Sequence, residues 1–240
     1  MISVCMATYN GSTFVREQCL SILSQLSAED ELLIQDDMST DDTVDTILSI
    51  GDERIALVTN KSNIGYQKNF ERVLSRAHGD LVFMADQDDI WIDGKVGLFI
   101  SLLENHDVVI SNAKIIGGEM DGYGYFPRHF IKGNGLYRRV LSVIRPRYLG
   151  CCMAFKKKCL DEMLPFPSKM GIIPHDYWMG TYSAMFFKLH FSPEMTLMYR
   201  RHSANVSNGG QGSKLGYSQQ FIYRINTLLL AVMRKLDRVR

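Results

Sequence analysis

From the first residue to about residue 112, apolar runs of strand length alternate with stretches of helical period, and few folds accept that order. Residues 2–7, 32–35, 55–58, 81–85 and 108–110 read as buried strands. The stretches between them carry apolar stripes three and four residues apart, such as Val15, Cys19, Ile22 and Leu26, or Phe70, Val73, Leu74 and Ala77. Ser12 and Ser39 stand where helix caps belong, and Gly79 where a helix should stop. Such repetition predicts an α/β fold with a doubly wound, mostly parallel sheet, which binds ligands at the carboxyl ends of its strands.

Past residue 112 the alternation fails. Residues 113–147 mix glycine, tyrosine and basic residues without a period. Residues 149–155 read as a strand, 159–164 as a short helix, 176–187 as a helix, and 191–201 as strands interrupted at Pro193. A polar, glycine-rich loop over 203–213 leads to a long helix from about 215 to 239. One arc of that helix holds Phe221, Ile222, Ile225, Leu228, Leu229, Val232, Leu236 and Val239. The other holds Arg224, Arg234, Lys235 and Arg238. This pattern suits a basic amphipathic helix on an anionic membrane, a helix packed on its own domain, or one paired in a homodimer.

Composition narrows the class. With 240 residues, 46% of them hydrophobic, the chain can bury a core without disulfides. Its 27 basic and 26 acidic residues give no electrostatic case for nucleic acid. Five cysteines without zinc spacing read as reduced thiols of a cytosolic protein. No signal peptide or run of membrane-spanning length stands out.

The chemistry concentrates where the 81–85 strand ends, at Asp86-Gln87-Asp88-Asp89-Ile90-Trp91. If the backbone stays extended, Asp86 and Asp88 project to one side, and their repulsion calls for a divalent cation, Mg²⁺ or Mn²⁺. A solvated loop capping the next helix is the plainer reading. A calcium loop fails, because Ile90 and Trp91 occupy positions that need an oxygen ligand and a glycine. A haloacid-dehalogenase-type phosphohydrolase fits poorly: Ile90 replaces its Thr or Val, and three β-α units precede the motif.

Four motifs in order carry a more specific match. They are Ala7-Thr8-Tyr9-Asn10-Gly11, Asp36-Asp37-Met38-Ser39-Thr40-Asp41, Asn63-Ile64-Gly65 with Asn69, and the Asp86–Trp91 stretch with Lys95. Together they resemble the family 2 glycosyltransferases, inverting enzymes of the GT-A fold that use nucleotide-diphospho-sugars. The Asp-Gln-Asp-Asp-x-Trp form is similar to the bacterial branch containing rhamnosyltransferases of cell-surface polysaccharides. Weaker matches follow at 149–155, at His175-Asp176-Tyr177-Trp178 and at 199–207.

The resemblance implies a nucleotide-sugar-binding half over 1–112, an acceptor half over 113–213 and a separate helix over 214–240. Thr8 and Tyr9 would line base and ribose, and Asp36 would accept from the base, with Asn63, Gly65, Asn69 and Gly150 also on the donor side. Asp88 and His202 would hold the metal, and Asp86 would face the ribose or a metal-bound water. Arg200 and Arg201 would add positive charge. Asp176 would be the general base, although His175 stands where the family carries Glu. Trp178 and Tyr177 are candidates for a sugar-stacking wall or for helix core. The implied donor is a nucleotide-diphospho-sugar such as dTDP-rhamnose, and the acceptor an oligosaccharide or lipid-linked chain. The place is the bacterial cytoplasm, on the inner face of the membrane. A non-catalytic nucleotide-sugar-binding homologue is the alternative from another class.

Overall fold

The computed structural model describes residues 1–118, 121–126, 148–170, 173–202 and 217–239. The first four apolar runs form β1 (Ile2–Thr8), β2 (Glu31–Asp36), β3 (Ile55–Thr59) and β4 (Leu81–Ala85). They are separated by α1 (Val15–Leu23), α2 (Thr43–Leu48) and α3 (Tyr66–Ser75). β1 pairs in parallel with both β2 and β4, and β2 with β3. Helices cover both faces, so the strands need no alternation. Val4, Cys5, Met6, Val82, Phe83, Met84 and Ala85 are all fully buried. Thr8 lies in register with Asp36, and Asp36 with Thr59, which brings the carboxyl ends of three strands to one edge.

The second half departs from the expected alternation. After β5 (Ile90–Trp91) and α4 (Lys95–Asn105), β6 runs from Val108 to Ile116, well beyond the three residues anticipated. β7 (Met153–Lys156) enters antiparallel between β4 and β6, giving the order β3-β2-β1-β4-β7-β6-β8-β5. Gly150–Cys152 is a 3₁₀ turn rather than the start of that strand. β8 (Leu189–Arg200) passes through Pro193 without stopping. Its pairing with β6 shifts register between Ile110 and Asn112, and this irregularity accommodates a residue that cannot donate to the ladder. Residues 127–147 and 203–216, which carry most of the segment without a period and the glycine-rich loop, lie outside the described residues.

Three local expectations change for physical reasons. α1 begins after Phe14, and Ser12 donates its N–H to Asp41 instead of capping. α2 begins after Asp42, because Ser39 is engaged by Asp36. Gly79 is not a left-handed stop. A Cβ there would lie 2.6 Å from the backbone N of Ser3, so the glycine permits close passage of the chain over β1.

The remaining helices are α5 (Lys157–Met163), α6 (His175–Phe186) and α7 (Tyr217–Val239). α7 turns its basic arc toward the domain, contrary to what a basic membrane helix needs. Arg234 donates to the carbonyls of Leu164 and Pro165, Lys235 to Glu162, and Arg238 to the carbonyls of Asp161 and Leu164. Thr227 and Ala231 are buried beneath it, while Ile222, Leu229 and Leu236 face solvent. Among the described residues no helix is long and apolar enough to cross a membrane.

Because backbone cannot yield as a side chain can, Gly79→Ala should lower unfolding free energy by about 2–3 kcal/mol. Urea titration would show an earlier midpoint at unchanged slope; an unchanged midpoint would mean that the chain shifts freely there.

Candidate active site

Four chain segments meet at the carboxyl edge of β1, β2 and β4. On the β1 side, Thr8 is buried and donates its hydroxyl to Asp36 at 3.0 Å. Tyr9 is 46% exposed at the rim. Its backbone is clasped by Gln87, whose amide accepts from the Tyr9 N–H (2.9 Å) and donates to its carbonyl (3.0 Å). Gly11 makes room for that amide: a Cβ would fall 2.3 Å from the Gln87 Oε1.

The two acids at the end of β2 are taken up by the protein. Asp36, expected to accept from a base, is closed to solvent and accepts from the hydroxyls of Thr8 and Ser39 and from the Ser39 N–H. Asp37 accepts from Asn60 and from the N–H groups of Ile64 and Gly65. It thereby holds the loop that opens α3, where Gly65 adopts a φ of 85°. Asn63 is exposed and accepts from Gly65. Asn69 is buried, donates to the Gln35 carbonyl at 2.7 Å and accepts from Asn60 at 2.8 Å. Asn69 and the backbone of Ile64 and Gly65 are thus tied into the protein while Asn63 stays on the rim, and Asn60 is the connecting residue that sequence reasoning missed.

The β4 acids do not project together. The backbone turns at Gln87 and Asp88, so the extended geometry expected for Asp86 and Asp88 is not adopted. Asp88 pairs with His202 (Nε2 to Oδ2, 2.8 Å), and the His202 ring stacks on Phe14 at 4.8 Å. Asp86 instead faces Asp89 and Cys151, and one ligand atom from each lies within 4.8 Å of the others. Asp89 is fully buried; one oxygen accepts from the Arg200 N–H and the other has no hydrogen-bond partner. Arg200 also donates to the Asp88 carbonyl, forms an ion pair with Glu17 and lies over the Phe14 ring. Lys95, fully buried, donates to the Cys151 carbonyl at 2.8 Å with its ammonium 4.1 Å from the Trp91 ring centre.

Across the site, Asp176 is the second residue of α6, beside Gly150. A Cβ on Gly150 would sit 3.5 Å from the Asp176 Cβ and 3.3 Å from the His175 Nε2, so the glycine leaves both side chains their positions. His175 is buried against Phe70 (4.2 Å between ring centres), with neither ring nitrogen paired, and burial pulls its pKa down to about 3. It is therefore a neutral imidazole. Trp178 is not part of a sugar wall: it is fully buried and donates to the Met163 carbonyl. Tyr177 packs edge-on to Tyr148 and Tyr223.

The electrostatics are those of converging acids. Burial, then the charges of Asp88 and Asp176, raises the Asp86 carboxyl to about 7. Burial raises Asp176 to about 6. Burial also lifts Asp89 well above the carboxylate range, with Asp86 and Asp88 adding to it. Hard cations fit this chemistry, because added positive charge would relieve the repulsion. Of the acids present, Asp86 and Asp88 remain partly open to solvent, whereas Asp89 is sealed. Cys151, a neutral thiol raised by burial, is a poor partner for Mg²⁺ or Mn²⁺. The hard donors that remain open are thus the paired Asp88 and His202, and Asp86, which is turned toward Asp89 and Cys151.

Residues 3–164 match the family model described as Glycosyl transferase family 2. The chain is 26% identical over 243 residues to the dTDP-rhamnosyl transferase RfbG of Shigella flexneri, covering 91% of this chain and 81% of that one. It is 32% identical over 125 residues to the UDP-Glc:alpha-D-GlcNAc-diphosphoundecaprenol beta-1,3-glucosyltransferase WfgD of Escherichia coli, covering 49% of each. The fold matches the mannosyltransferase PcManGT from Pyrobaculum calidifontis, whose structure holds GDP-Man and Mn²⁺. There the TM-score is 0.63 at 19% identity, with 98% of this chain and 64% of that one covered. The architecture is the GT-A fold, with β7 as its antiparallel insertion and α7 following. The chain spans about half the length of WfgD and under two thirds of PcManGT.

Asp176 also gives a stability signature independent of function. Below about pH 4 it is protonated folded or unfolded. As pH rises from the ordinary 3.8 to about 6, only the unfolded chain loses the proton, so stability falls and then levels off. Asp176→Asn should therefore melt higher than wild type at pH 8, with the advantage vanishing near pH 4. An equal difference at both pH values would place Asp176 in water.

Proposed function

We infer the reaction from family and site together: the chain belongs to glycosyl transferase family 2, and its site suits inverting transfer of a sugar from a nucleotide-diphospho-sugar. The acceptor is a hydroxyl of a growing cell-surface polysaccharide or lipid-linked oligosaccharide. The observation that carries this reading is Asp176. Its carboxyl stands at the start of α6 beside Gly150, close enough for its charge to be felt at Asp86, and burial gives it a pKa of about 6. Such a group is ionised near neutrality yet basic enough to accept a proton.

On the donor side, the exposed Tyr9 ring offers a wall for base and ribose, whereas Thr8, expected to share it, is buried and bonded to Asp36. Asp36 acts through Thr8 and Ser39, which it fixes, and Asp37, Asn60 and Asn69 hold Asn63 and Gly65 in place. Asp86 is set to meet the ribose or a bound water at the diphosphate, while buried Gly150 serves by leaving His175 and Asp176 their positions. Asp88 and His202 would hold a divalent ion, Mg²⁺ or Mn²⁺, which when bound neutralises the charge that builds on the departing diphosphate. Arg200 fixes the Asp88 backbone beneath it.

Inversion needs the acceptor hydroxyl to attack the anomeric carbon from the face opposite the diphosphate while its proton leaves. Asp176, near enough for its charge to be felt at Asp86, takes that proton. The C–O bond to the acceptor forms as the bond to the diphosphate oxygen breaks. RfbG supports dTDP-rhamnose as donor, and WfgD supports UDP-glucose with a diphosphoundecaprenol-linked acceptor. An acceptor of that kind would place the reaction at the inner face of the bacterial cytoplasmic membrane.

Asp176→Asn keeps shape and hydrogen-bonding reach but cannot usefully accept the proton. With dTDP-rhamnose, UDP-glucose and other donors offered in turn, donor binding should be unchanged and transfer should fall about 10²–10⁴-fold. Wild-type kcat/KM should drop with acidity below about pH 6, where Asp176 takes up its proton. Transfer by the variant near the wild-type rate would remove Asp176 from the role of base. Donor binding without transfer by wild type to any acceptor would support the non-catalytic alternative.

A further inference from the structure

The outward face of α7 has the spacing of a helix-pairing seam. Ile222, Ile225, Leu229, Val232 and Leu236 follow one another at intervals of three, four, three and four, and they are 40–59% exposed. That is a period of 3.5 residues, the repeat that keeps one stripe facing a second helix. Phe221 and Met233, both more than half exposed, widen the stripe along its flanks. Thr227 and Ala231, on the opposite side, are buried against the domain, so the helix is already seated and the seam is a second, independent face.

What should cover it follows from charge and area. An interfacial membrane helix carries cations at the margins of its apolar stripe to meet lipid phosphates. Here Arg234, Lys235 and Arg238 are drawn inward to the Glu162 carboxylate and the 161–165 carbonyls, and the outer margin carries Asn226 and Asp237. Seven large, half-exposed apolar side chains in one continuous row make a patch of several hundred Å². The largest patch on an ordinary monomer is about 300–600 Å² and is often an interaction site. Doubled across a two-fold axis, such a patch approaches the area of a stable interface. An uncharged heptad seam is complementary to itself, and a closed two-fold pair is the commonest oligomer.

We propose that α7 is a dimerisation element, its heptad face pairing with the same face of a second copy of this chain. The pairing leaves the site described above intact, and it stands whether or not the proposed reaction is correct. In light scattering after gel filtration, the full chain should give twice the monomer mass. Leu229→Glu, at the middle of the seam, should weaken association about 100-fold or more and return the monomer mass with unchanged far-UV circular dichroism. As a check that needs no destabilising change, Leu229→Cys under mild oxidation with oxidised glutathione should form an interchain disulfide. The five native cysteines are all buried and should give none. A wild-type monomer overturns the proposal, and so does a dimer indifferent to Leu229→Glu with no cross-link at Leu229→Cys. A monomer that floats with vesicles of phosphatidylglycerol and phosphatidylcholine, and loses that property in Leu229→Glu, would assign the face to lipid instead.

Discussion

Burial of carboxylates in one low-dielectric pocket, with repulsion between Asp86, Asp88 and Asp89 added to it, is the constraint on which the rest of the site depends. Asp86, Asp88, Asp89 and Asp176 come together from β4, the turn after it and α6, and burying such charges unpaired costs several kcal/mol each. The chain answers locally. The Arg200 N–H and side chain fix Asp89 and the Asp88 carbonyl, His202 takes Asp88, and Lys95 lies beneath Cys151. What remains is proton uptake, visible in the raised pKa values of Asp86 and Asp176. A pocket arranged in this way has affinity for positive charge built into it. Burial, rather than the neighbouring acids, makes Asp176 basic enough to work as the proposed base.

The donor side is held by the opposite device, full satisfaction of polar groups. Asp36, Asp37, Asn60 and Asn69 are buried, and each is hydrogen-bonded within the protein. Such a network fixes loop geometry without leaving an orphaned donor. The N-terminal half therefore presents a rigid rim of Tyr9, Asn63 and Gly65. The strained chemistry is confined to one edge of it.

Much of this was legible in the residues, for reasons that also mark the limits. A strand buried on both faces needs an unbroken apolar run, so β1, β2 and β4 were readable to within a residue or two. Hydrophobic pattern says nothing of strand direction, and the antiparallel entry of β7 was therefore invisible. Pro193 read as an interruption because sequence does not show the register shift that absorbs it. The nearness of His202 to Asp88 and of Asp176 to Asp86 was implied by the family resemblance. The inward turn of Asp89 did not, since it depends on a two-residue turn with no glycine or proline to announce it. A helical wheel separated the two arcs of α7 correctly but could not say which one faces the domain. The cations proved to be the docked side.

That Asp88 and His202 would hold the divalent cation, as proposed, is tested most directly by anomalous scattering. Crystals grown with Mn²⁺ and UDP should show one manganese peak bonded to Asp88 and His202 at about 2.0–2.3 Å, with diphosphate oxygens completing its shell. A peak between Asp86, Asp89 and Cys151, or ordered UDP with no peak, would contradict the account.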